Sequence, residues 1–411
     1  MEVVYARCAG LDVHKDTVAV CMVLPDAKGG ARKEIRTFAT MTRDLLALSD
    51  WLAEQAVTHV AMESTGVFWK PIFNILEGRF QVLLVNARHI KQVPGRKTDV
   101  KDCEWIADLL RHGLLKASFV PDRPQRELRD LTRHRAQLVG ERTRVANRIQ
   151  KVLEDANIKL GSVASDVLGT SGREMIQALL DGQQDPSQMA ELARGRMRSK
   201  KDTLAAALEG HVTEHHRFML RTLWDHLTYL EKTIASMDQR IGEQMRPFEA
   251  EIQRLDGIPG VDRLVAQAII AEIGTDMSRF PTADHLSSWA GLCPGNNESA
   301  GKHKSGRTPK ANRWLKRCLS QAAWAASHTK DTYLSAQFRQ VAKRRGKKRA
   351  IIAVAHTILI ASYYILKGAE YRELGGDYFD RLHPERLRAY YVRRLEKLGF
   401  EVCLTKPADA A

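Results

Sequence analysis

Short apolar runs of strand length and segments of helical periodicity alternate through the first third of the chain. The stretch "ARCAGLDVHKDTVAVCMVL" predicts a strand, a turn near His14–Asp16 and a second strand rich in valine, and "RTFAT" predicts a third. In "MTRDLLALSDWLAEQA" the apolar residues have helical spacing, with Thr42 as a suitable N-cap. Two more apolar runs, "VTHVAMEST" and "FQVLLVNA", predict further strands. This order of elements predicts an α/β domain with a mixed sheet.

The pattern becomes helical after Pro121. A long charged helix is predicted for "RPQRELRDLTRHRAQLVGERTRVANRIQKVLEDANI", and residues 217–250 predict a second. The first helix has a thin apolar stripe, typical of coiled-coil or helical-bundle packing, formed by Leu128, Leu131, Leu138, Val145, Ile149 and Leu153. The predicted parts are an α/β domain over residues 1–121, a helical or coiled-coil oligomerisation region over 122–250, and a mainly α-helical domain over 251–411.

The composition indicates a globular protein with a polyanionic partner. Hydrophobic residues make up 44% of the 411 residues and the formal net charge is +15, an excess that favours nucleic acid over a membrane as the partner. The six cysteines show no CxxC spacing, which argues against a zinc site and favours reduced thiols in the cytoplasm. The apolar run "AIIAVAHTILIASYYIL" contains His356 and follows a basic cluster, so we interpret it as a buried helix. We therefore expect a cytoplasmic protein with neither an export signal nor a membrane span.

Four carboxylates stand where predicted strands end or a predicted helix begins. Asp12 lies in the first strand, Glu63 ends the strand "VTHVAMEST", and Asp99 and Asp102 open the helix in "GRKTDVKDCEWIADLL". Carboxylates brought together repel one another, and a divalent cation such as Mg²⁺ offsets that repulsion. Two such ions can activate a nucleophile and stabilise the leaving oxygen of a phosphodiester. Each residue also has an ordinary explanation as a turn residue, a strand end or a helix cap, so the residues alone leave both interpretations open.

The order of these carboxylates and their motifs, "LDVHKD", "AMESTG" and "KTDVKDCEWIADLL", resembles the DEDD insertion-sequence transposases. Members of that family have a RuvC-like domain of the RNase H fold and are guided by a bridge RNA. The resemblance implies that Asp12, Glu63, Asp99 and Asp102 are catalytic and bind two Mg²⁺ ions. Three nearby carboxylates remain alternative ligands: Asp16, Glu104 and Asp108.

A glycine- and lysine-rich segment over residues 294–312 is the second chemical candidate. Ser299 lies in what reads as a flexible turn, and the cationic residues that follow it include Lys302, Lys304 and Arg307. A serine hydroxyl there can attack a phosphodiester while the cations offset the negative charge that builds on the phosphorane, or the segment is a solvated loop that only touches phosphate. The segment "CPGNNESAGKHKSGRTPK" is similar to the transposase domain of the same family, which implies that Ser299 is the nucleophile. Ser305 is the rival nucleophile, and Ser287 and Ser288 are predicted to be helix residues that face a core.

Two further features of the last part have open interpretations. The "GIPG" hairpin either cradles a phosphate, as helix-hairpin-helix modules do, or forms a turn between two core helices. Three tryptophans at helical spacing, Trp289, Trp314 and Trp324, are predicted to be core residues rather than surfaces for base stacking.

Positive charge is densest in "FRQVAKRRGKKRA", around Gly346. This density favours contact with a phosphate backbone over an ordinary solvated helix face. The residues are Lys343, Arg344, Arg345, Lys347, Lys348 and Arg349.

These features together predict a Mg²⁺-dependent DNA recombinase that moves an insertion sequence through a transient serine–DNA link. The resemblance implies donor and target double-stranded DNA, a bridge RNA, and a homodimer that assembles into a tetramer in a bacterial cytoplasm, at the nucleoid when acting. One alternative is a junction-resolving or nicking nuclease in which Ser299 is only a phosphate contact. The other is a non-catalytic scaffold that binds nucleic acid.

Overall fold

The computed structural model describes most of the chain. The described residues are 2–26, 30–64, 66–86, 102–295, 297–299, 301–309, 311–382 and 384–405, with only the backbone described at 297–299 and 303–305. The chain forms two compact units, Met1–Pro121 and Asp122–Ala411. The further separation of 122–250 from 251–411 as domains stays a prediction.

The N-terminal unit is built on a five-stranded mixed sheet. Its strands are β1 (Cys8–Val13), β2 (Thr17–Pro25), β3 (Ala31–Ala39), β4 (His59–Glu63) and β5 (Gln81–Val85). The order across the sheet is β3-β2-β1-β4-β5. The pairs β1–β2 and β2–β3 are antiparallel, and β1–β4 and β4–β5 are parallel. The prediction of an α/β domain with a mixed sheet is confirmed, and this topology is consistent with an RNase H-like fold.

Helices cover both faces of this sheet. They are α1 (Thr42–Glu54), α2 (Trp69–Leu76) and α3 (Asp102–Arg111). Leu11 and its alternate neighbours on β1 pack in the same cluster as α1 and α2, whereas Cys8 packs with α3. Successive residues of a strand point to opposite faces, so Gly10 and Asp12 share the α3 face with Cys8.

Two local predictions for this unit need correction. The N-cap of α1 is Met41, which makes no side-chain capping hydrogen bond, and Thr42 is the first helical residue. The third strand is longer than "RTFAT" because β2 pairs with it over its whole length. That strand is an edge strand with mostly exposed, charged residues, so it lacks the apolar alternation by which strands are recognised.

The C-terminal unit is mainly α-helical, as predicted. Its first elements are α4 (Arg123–Asp155), α5 (Leu160–Val163), α6 (Thr170–Leu180), α7 (Pro186–Ala190), a 3₁₀ turn (Gly195–Lys200), α8 (Lys201–Leu208) and α9 (Glu214–Met245). After a second 3₁₀ turn (Arg246–Phe248) come α10 (Glu249–Asp256), α11 (Arg263–Ile273), a third 3₁₀ turn (Met277–Arg279) and α12 (Ala283–Trp289). The strands β6 (Asn297–Ser299) and β7 (Lys302–Ser305) then precede α13 (Arg313–His328), α14 (Tyr333–Arg345), α15 (Lys347–Leu366), α16 (Tyr378–Leu382) and α17 (Pro384–Glu396).

The two long helices α4 and α9 form an antiparallel pair. Arg142 Nε contacts Glu231 Oε1 at 2.9 Å, and Asp155 Oδ2 contacts His216 Nε2 at 3.0 Å, so positions later on α4 meet positions earlier on α9. The apolar stripe of α4 is buried in a cluster shared with α9 and with the shorter helices between them, through Leu138, Val145, Ile149 and Leu153. The stripe is therefore occupied within the chain, as in a helical bundle. Coiled-coil pairing between protomers gains no support from it.

Helix α15 is the core helix of the last part. Among the described residues it is the one helix long and apolar enough to cross a membrane by length and composition. It packs against α10, α12, α13 and α14. The buried positions include Val354, Ile358 and Leu359. This packing agrees with the interpretation of its sequence as a buried helix.

Candidate active site

The strand register places two of the predicted carboxylates side by side. In the parallel pair β1–β4, Gly10 lies opposite Ala61 and Leu11 opposite Met62, so the next position in register sets Asp12 beside Glu63. Adjacent strands lie about 4.8 Å apart. Ala61 packs on the α3 face, and the alternation of side chains puts Glu63 on that face with Asp12.

Helix α3 brings a third carboxylate to the same edge of the sheet. A Cβ on Gly10 would lie 2.3 Å from Ala107 N and 2.4 Å from Cys103 O, so only glycine allows α3 to lie this close to β1. Cys8 Sγ is 3.8 Å from Ala107 O, at the later part of the helix. At the other end, burial and, among smaller contributions, the charge of Asp12 raise the pKa of the Cys103 thiol. The helix thus runs antiparallel to β1 and begins near Asp12.

Asp102 is the first residue of α3 and stands at this edge. Hard carboxylate oxygens from two strand ends and a helix start are the donor chemistry that Mg²⁺ prefers. Within the described residues, no group of three His, Cys, Asp or Glu side chains is close enough to hold a metal ion. The fourth predicted ligand, Asp99, lies outside the described residues. The three described carboxylates are the type of side chain that binds a divalent cation, and they form part of the proposed ligand set.

Sequence reasoning missed a neighbour of Asp12. His14 Nε2 lies 3.1 Å from Asp12 Oδ2, so the imidazole holds one oxygen of this carboxylate. The Asp12 side chain is 24% exposed and that of His14 is 63% exposed. The signal was present in "LDVHKD", where the histidine follows the aspartate by two residues at the strand end.

The rival carboxylates have other surroundings. Lys33 on β3 contacts Asp108 Oδ2 at 2.6 Å and Glu104 Oε2 at 3.9 Å. Burial opposes the charge on Lys33, but the hydrogen bond and charge of Asp108 dominate and raise its pKa. Asp16 is exposed in the turn between β1 and β2. Both helical rivals therefore already share a cation, which makes them poorer candidates than Asp102.

The serine segment is a hairpin rather than the flexible turn expected. The antiparallel strands β6 and β7 pair Ser299 with Lys302 across a turn in which Gly301 has φ +73°. Ser299 ends β6 at this turn, whereas Ser305 ends β7 at the far end of the hairpin, opposite Asn297. Of the serines on α12, Ser287 is fully buried, as predicted.

Ser288, by contrast, is exposed, so its predicted core position is wrong. It occupies the position next to Ser287 on the helix, and successive helical residues point about 100° apart. One of the two serines therefore faces solvent.

The predicted phosphate-binding residues are at the surface where the structure describes them. Lys302 and Arg307 are exposed, and the side chain of Lys304 lies outside the described part. The basic cluster of α14 and α15 is wholly exposed around Gly346, which has φ +81°; it comprises Lys343, Arg344, Arg345, Lys347, Lys348 and Arg349. Three of these cations occupy the first turn of α15, which contains no acidic residue. A cation there opposes the helix dipole at a cost of about 0.3–1 kcal/mol, and a bound phosphate removes that conflict.

The structure also gives the surroundings of the three tryptophans and of the "GIPG" turn. The tryptophan prediction is wrong for Trp324, which is 51% exposed, while Trp289 and Trp314 are half-buried. In the "GIPG" turn, a Cβ on Gly260 would lie 2.4 Å from Ala322 O on α13. Asp262 accepts a hydrogen bond of 2.8 Å from Val265 N and so caps α11 with a negative charge. Both observations favour a packing turn over a phosphate cradle.

A buried carboxylate holds the start of α13 to the rest of its unit. Glu272 is 2% exposed and accepts hydrogen bonds of 2.7 Å from Arg133 Nε and Nη2. Asn312 Nδ2 donates to Glu272 Oε2 at 2.6 Å, and Asn312 Oδ1 caps α13. Arg129 donates to the backbone carbonyls of Ala271 and Glu272. The segment that follows the serine hairpin is thereby anchored to α4 and α11.

Two family models match separate parts of the chain. A DEDD transposase model of the insertion sequence IS110 matches residues 9–158, and a model described as "Transposase IS116/IS110/IS902 family" matches residues 252–339.

Curated relatives extend over much of the chain. The 43.6 kDa protein of insertion element IS110 from Streptomyces coelicolor is 26% identical over 68% of this chain and 73% of its own length. The 42 kDa protein of insertion element IS900 from Mycobacterium paratuberculosis is 28% identical over 70% and 78%. The transposase for insertion sequence element IS1111A from Coxiella burnetii is 24% identical over 66% and 68%. Two models that match separate parts of the chain and together cover more than half of it, with these relatives, identify the chain as an insertion-sequence transposase of the IS110/IS116 family.

Proposed function

We propose that this transposase cuts and rejoins DNA with a carboxylate site made of Asp12, Glu63, Asp99 and Asp102, and with Ser299 as the nucleophile. The observation that carries the proposal is the β1–β4 register, which sets Asp12 beside Glu63 at the edge where α3 begins with Asp102. Two Mg²⁺ ions bound there would neutralise the carboxylates and polarise the scissile phosphate. Within this site, His14 orients Asp12 through its hydrogen bond.

In the serine step, one ester bond to phosphorus forms for each one that breaks. The Ser299 hydroxyl attacks phosphorus, one P–O ester bond breaks, and the departing DNA hydroxyl takes up a proton. A hydroxyl end of another strand then attacks the phosphoserine, which restores the DNA bond and the serine. The exposed cations Lys302 and Arg307 stand close to Ser299 in sequence and would offset the negative charge on the oxygens of the pentacoordinate phosphorane.

The partners follow from charge and from the resemblance to the DEDD family. The net charge of +15 and the exposed cluster around Gly346 support donor and target double-stranded DNA as ligands. Guidance by a bridge RNA, assembly of dimers into a tetramer, and action at the nucleoid in a bacterial cytoplasm belong to the proposal through the resemblance. In such an assembly one protomer's carboxylates can meet another protomer's serine.

The test is a covalent protein–DNA adduct on a denaturing gel. Purified protein is mixed with Mg²⁺, the element-flanking RNA and a labelled donor–target DNA pair. We expect an adduct for the wild type and its loss in Ser299→Ala and in Asp102→Asn. The matched control is Asp108→Asn, which should keep the adduct. It removes a carboxylate that lies on the same helix and is paired with Lys33.

Three outcomes separate the alternatives. Loss of the adduct in Ser305→Ala but not in Ser299→Ala would move the nucleophile to the other end of the hairpin. Free cleaved DNA that persists in Ser299→Ala would contradict the serine mechanism and support a metal-dependent nuclease. Unchanged behaviour of Asp102→Asn in every assay would support a non-catalytic scaffold. Omitting the RNA tests guidance, and light scattering with and without DNA tests assembly.

A further inference from the structure

An open groove between α4 and α13 is a feature that the proposed chemistry does not use. Its volume is about 580 Å³, and its walls include Gly140 and Arg144 from α4 with Arg313, Trp314 and Arg317 from α13. All of these residues belong to the C-terminal unit. The groove is therefore defined within one compact body.

The groove holds an excess of positive charge. Arg313 and Arg317 are exposed, and neither has a carboxylate within ion-pair distance in the part of the chain that the structure describes. Arg144 contacts Glu141, the one acidic residue of the wall, at 3.7 Å, with both side chains largely exposed. Such an exposed pair is weak and leaves the arginine available to a phosphate.

A neighbouring cavity differs from the groove in the pairing of its arginines. It has a volume of about 330 Å³ and shares Trp314 and Arg317 with the groove. The two arginines that line the cavity alone are in ion pairs with carboxylates: Arg133 with Glu272 and Arg135 with Asp238. The arginines without a strong carboxylate partner therefore line the groove, and of these Arg317 also borders the cavity.

An aromatic surface lies among these cations. The Arg313 guanidinium stands over the Trp314 ring, 4.7 Å from its centroid, and the indole is half-buried. Indole rings and guanidinium groups are the surfaces on which unpaired bases stack. In a duplex the base faces are covered by their neighbours, so only an unpaired strand can use this surface.

Gly140 leaves open space on the α4 wall of the groove. It lies inside the 33-residue helix α4, where glycine costs about 1 kcal/mol relative to alanine. A Cβ there would meet nothing nearer than Arg144 Nη1 at 3.9 Å, so close packing does not require the glycine. A larger side chain at this position would extend into the groove.

We propose that this groove binds an unpaired nucleic-acid strand, with its phosphates on Arg144 and Arg317 and a base on the Arg313–Trp314 surface. The proposal rests on the proposed function only in taking nucleic acid as the partner. DNA and RNA share the chemistry that the groove recognises. Binding measured with DNA and RNA strands of one sequence distinguishes the two.

The test measures binding of fluorescein-labelled 20-nucleotide DNA, RNA of the same sequence and the corresponding DNA duplex by fluorescence anisotropy, over a series of salt concentrations in EDTA. The variants are Trp314→Leu, Gly140→Leu and the double variant Arg144→Gln/Arg317→Gln. The matched control is Arg196→Gln/Arg198→Gln, which removes the same charge from an exposed 3₁₀ turn elsewhere in the unit. Circular dichroism melting verifies that each variant is folded.

We expect the double variant to lower the salt slope for single strands by about 1.4, at roughly 0.7 per phosphate contact. Trp314→Leu should weaken single-strand binding about 5- to 150-fold without changing the slope. Gly140→Leu should weaken it although no charge is lost, and the control should bind like the wild type. A loss confined to DNA or to RNA supports the proposal and identifies the strand.

Two results would overturn the inference: groove variants that bind single strands as the control does, or an equal loss for the duplex. Because the assay contains no Mg²⁺ and records no cleavage, it measures strand binding separately from the proposed catalysis. Strand binding without any serine adduct would leave the groove standing and refute the proposed catalysis.

Discussion

Removal of the buried carboxylate of Glu272 should destabilise the C-terminal unit more than any surface ion-pair change. Glu272 is 2% exposed and joins Arg133 on α4 to Asn312 at the start of α13. Arg129 packs beside it, 3.5 Å from Oε2, and burial lowers the pKa of this guanidinium to about 10 while the charge of Glu272 opposes that shift. In Glu272→Ala the two arginines would keep their positive charges with no carboxylate between them.

The expected loss follows from the burial. Removing one partner of a buried ion pair costs about 3–5 kcal/mol, because the remaining charge is uncompensated. The unit spans Asp122–Ala411, roughly 290 residues, and at about 2.1 cal/mol/K per residue each kcal/mol lowers Tm by roughly 1.6 °C. We therefore expect the transition of this unit to fall by about 5–8 °C.

Differential scanning calorimetry measures the change. Glu272→Gln keeps an oxygen acceptor but loses the charge, so its transition should lie between those of wild type and Glu272→Ala. The matched control is Glu249→Ala, which removes a bidentate pair with Arg263, at 2.5 and 2.6 Å, on the exposed surface of the same unit. The control should leave Tm unchanged, because solvent screens exposed pairs. A Glu272→Ala transition within about 2 °C of the wild type would refute the reasoning.

Three other predictions concern the sheet, the long helices and the basic cluster. Gly10→Ala should destabilise the N-terminal unit by at least about 1–3 kcal/mol in urea unfolding, because the added Cβ meets backbone atoms of α3 at 2.3 and 2.4 Å. Burial opposes ionisation of Glu231, but hydrogen bonds from Arg173 and Arg142 prevail and hold its pKa below the ordinary 4.5. The ionised Glu231 therefore stabilises the folded state above pH 4.5, and this stabilisation is lost as pH falls through the folded-state pKa. In Glu231→Gln the free energy of unfolding, followed by circular dichroism, should therefore depend less on pH in the acid range. Lys348→Glu should reduce the salt slope of duplex DNA binding by about 0.9. It should also stabilise α15 by roughly 0.6–2 kcal/mol, because it removes an unfavourable cation from the helix start and adds a favourable anion. An unchanged slope would remove this residue from the DNA contact.

Much of the fold could be predicted from the sequence because its signals are local. Apolar runs of strand length identified β1, β2, β4 and β5, and helical periodicity identified α1 and the two long helices. The elements that were predicted incompletely or missed also have a local cause. The edge strand β3 lacks apolar alternation, and the β6–β7 hairpin consists of polar residues around a glycine turn, which has the composition of a loop.

The sequence by itself determined which residue types stand at the strand ends and helix starts, the clustering of charge around Gly346, and the motifs that resemble the DEDD family. Only the tertiary structure decided which of them meet. The β1–β4 register set Asp12 beside Glu63, Lys33 reached Asp108 across 75 positions of the chain, and Arg133 reached Glu272 across 139. Such contacts depend on how sheets and helices pack around shared cores. Hydrophobic periodicity tells which face of an element is buried, but it does not tell against which distant partner that face will pack.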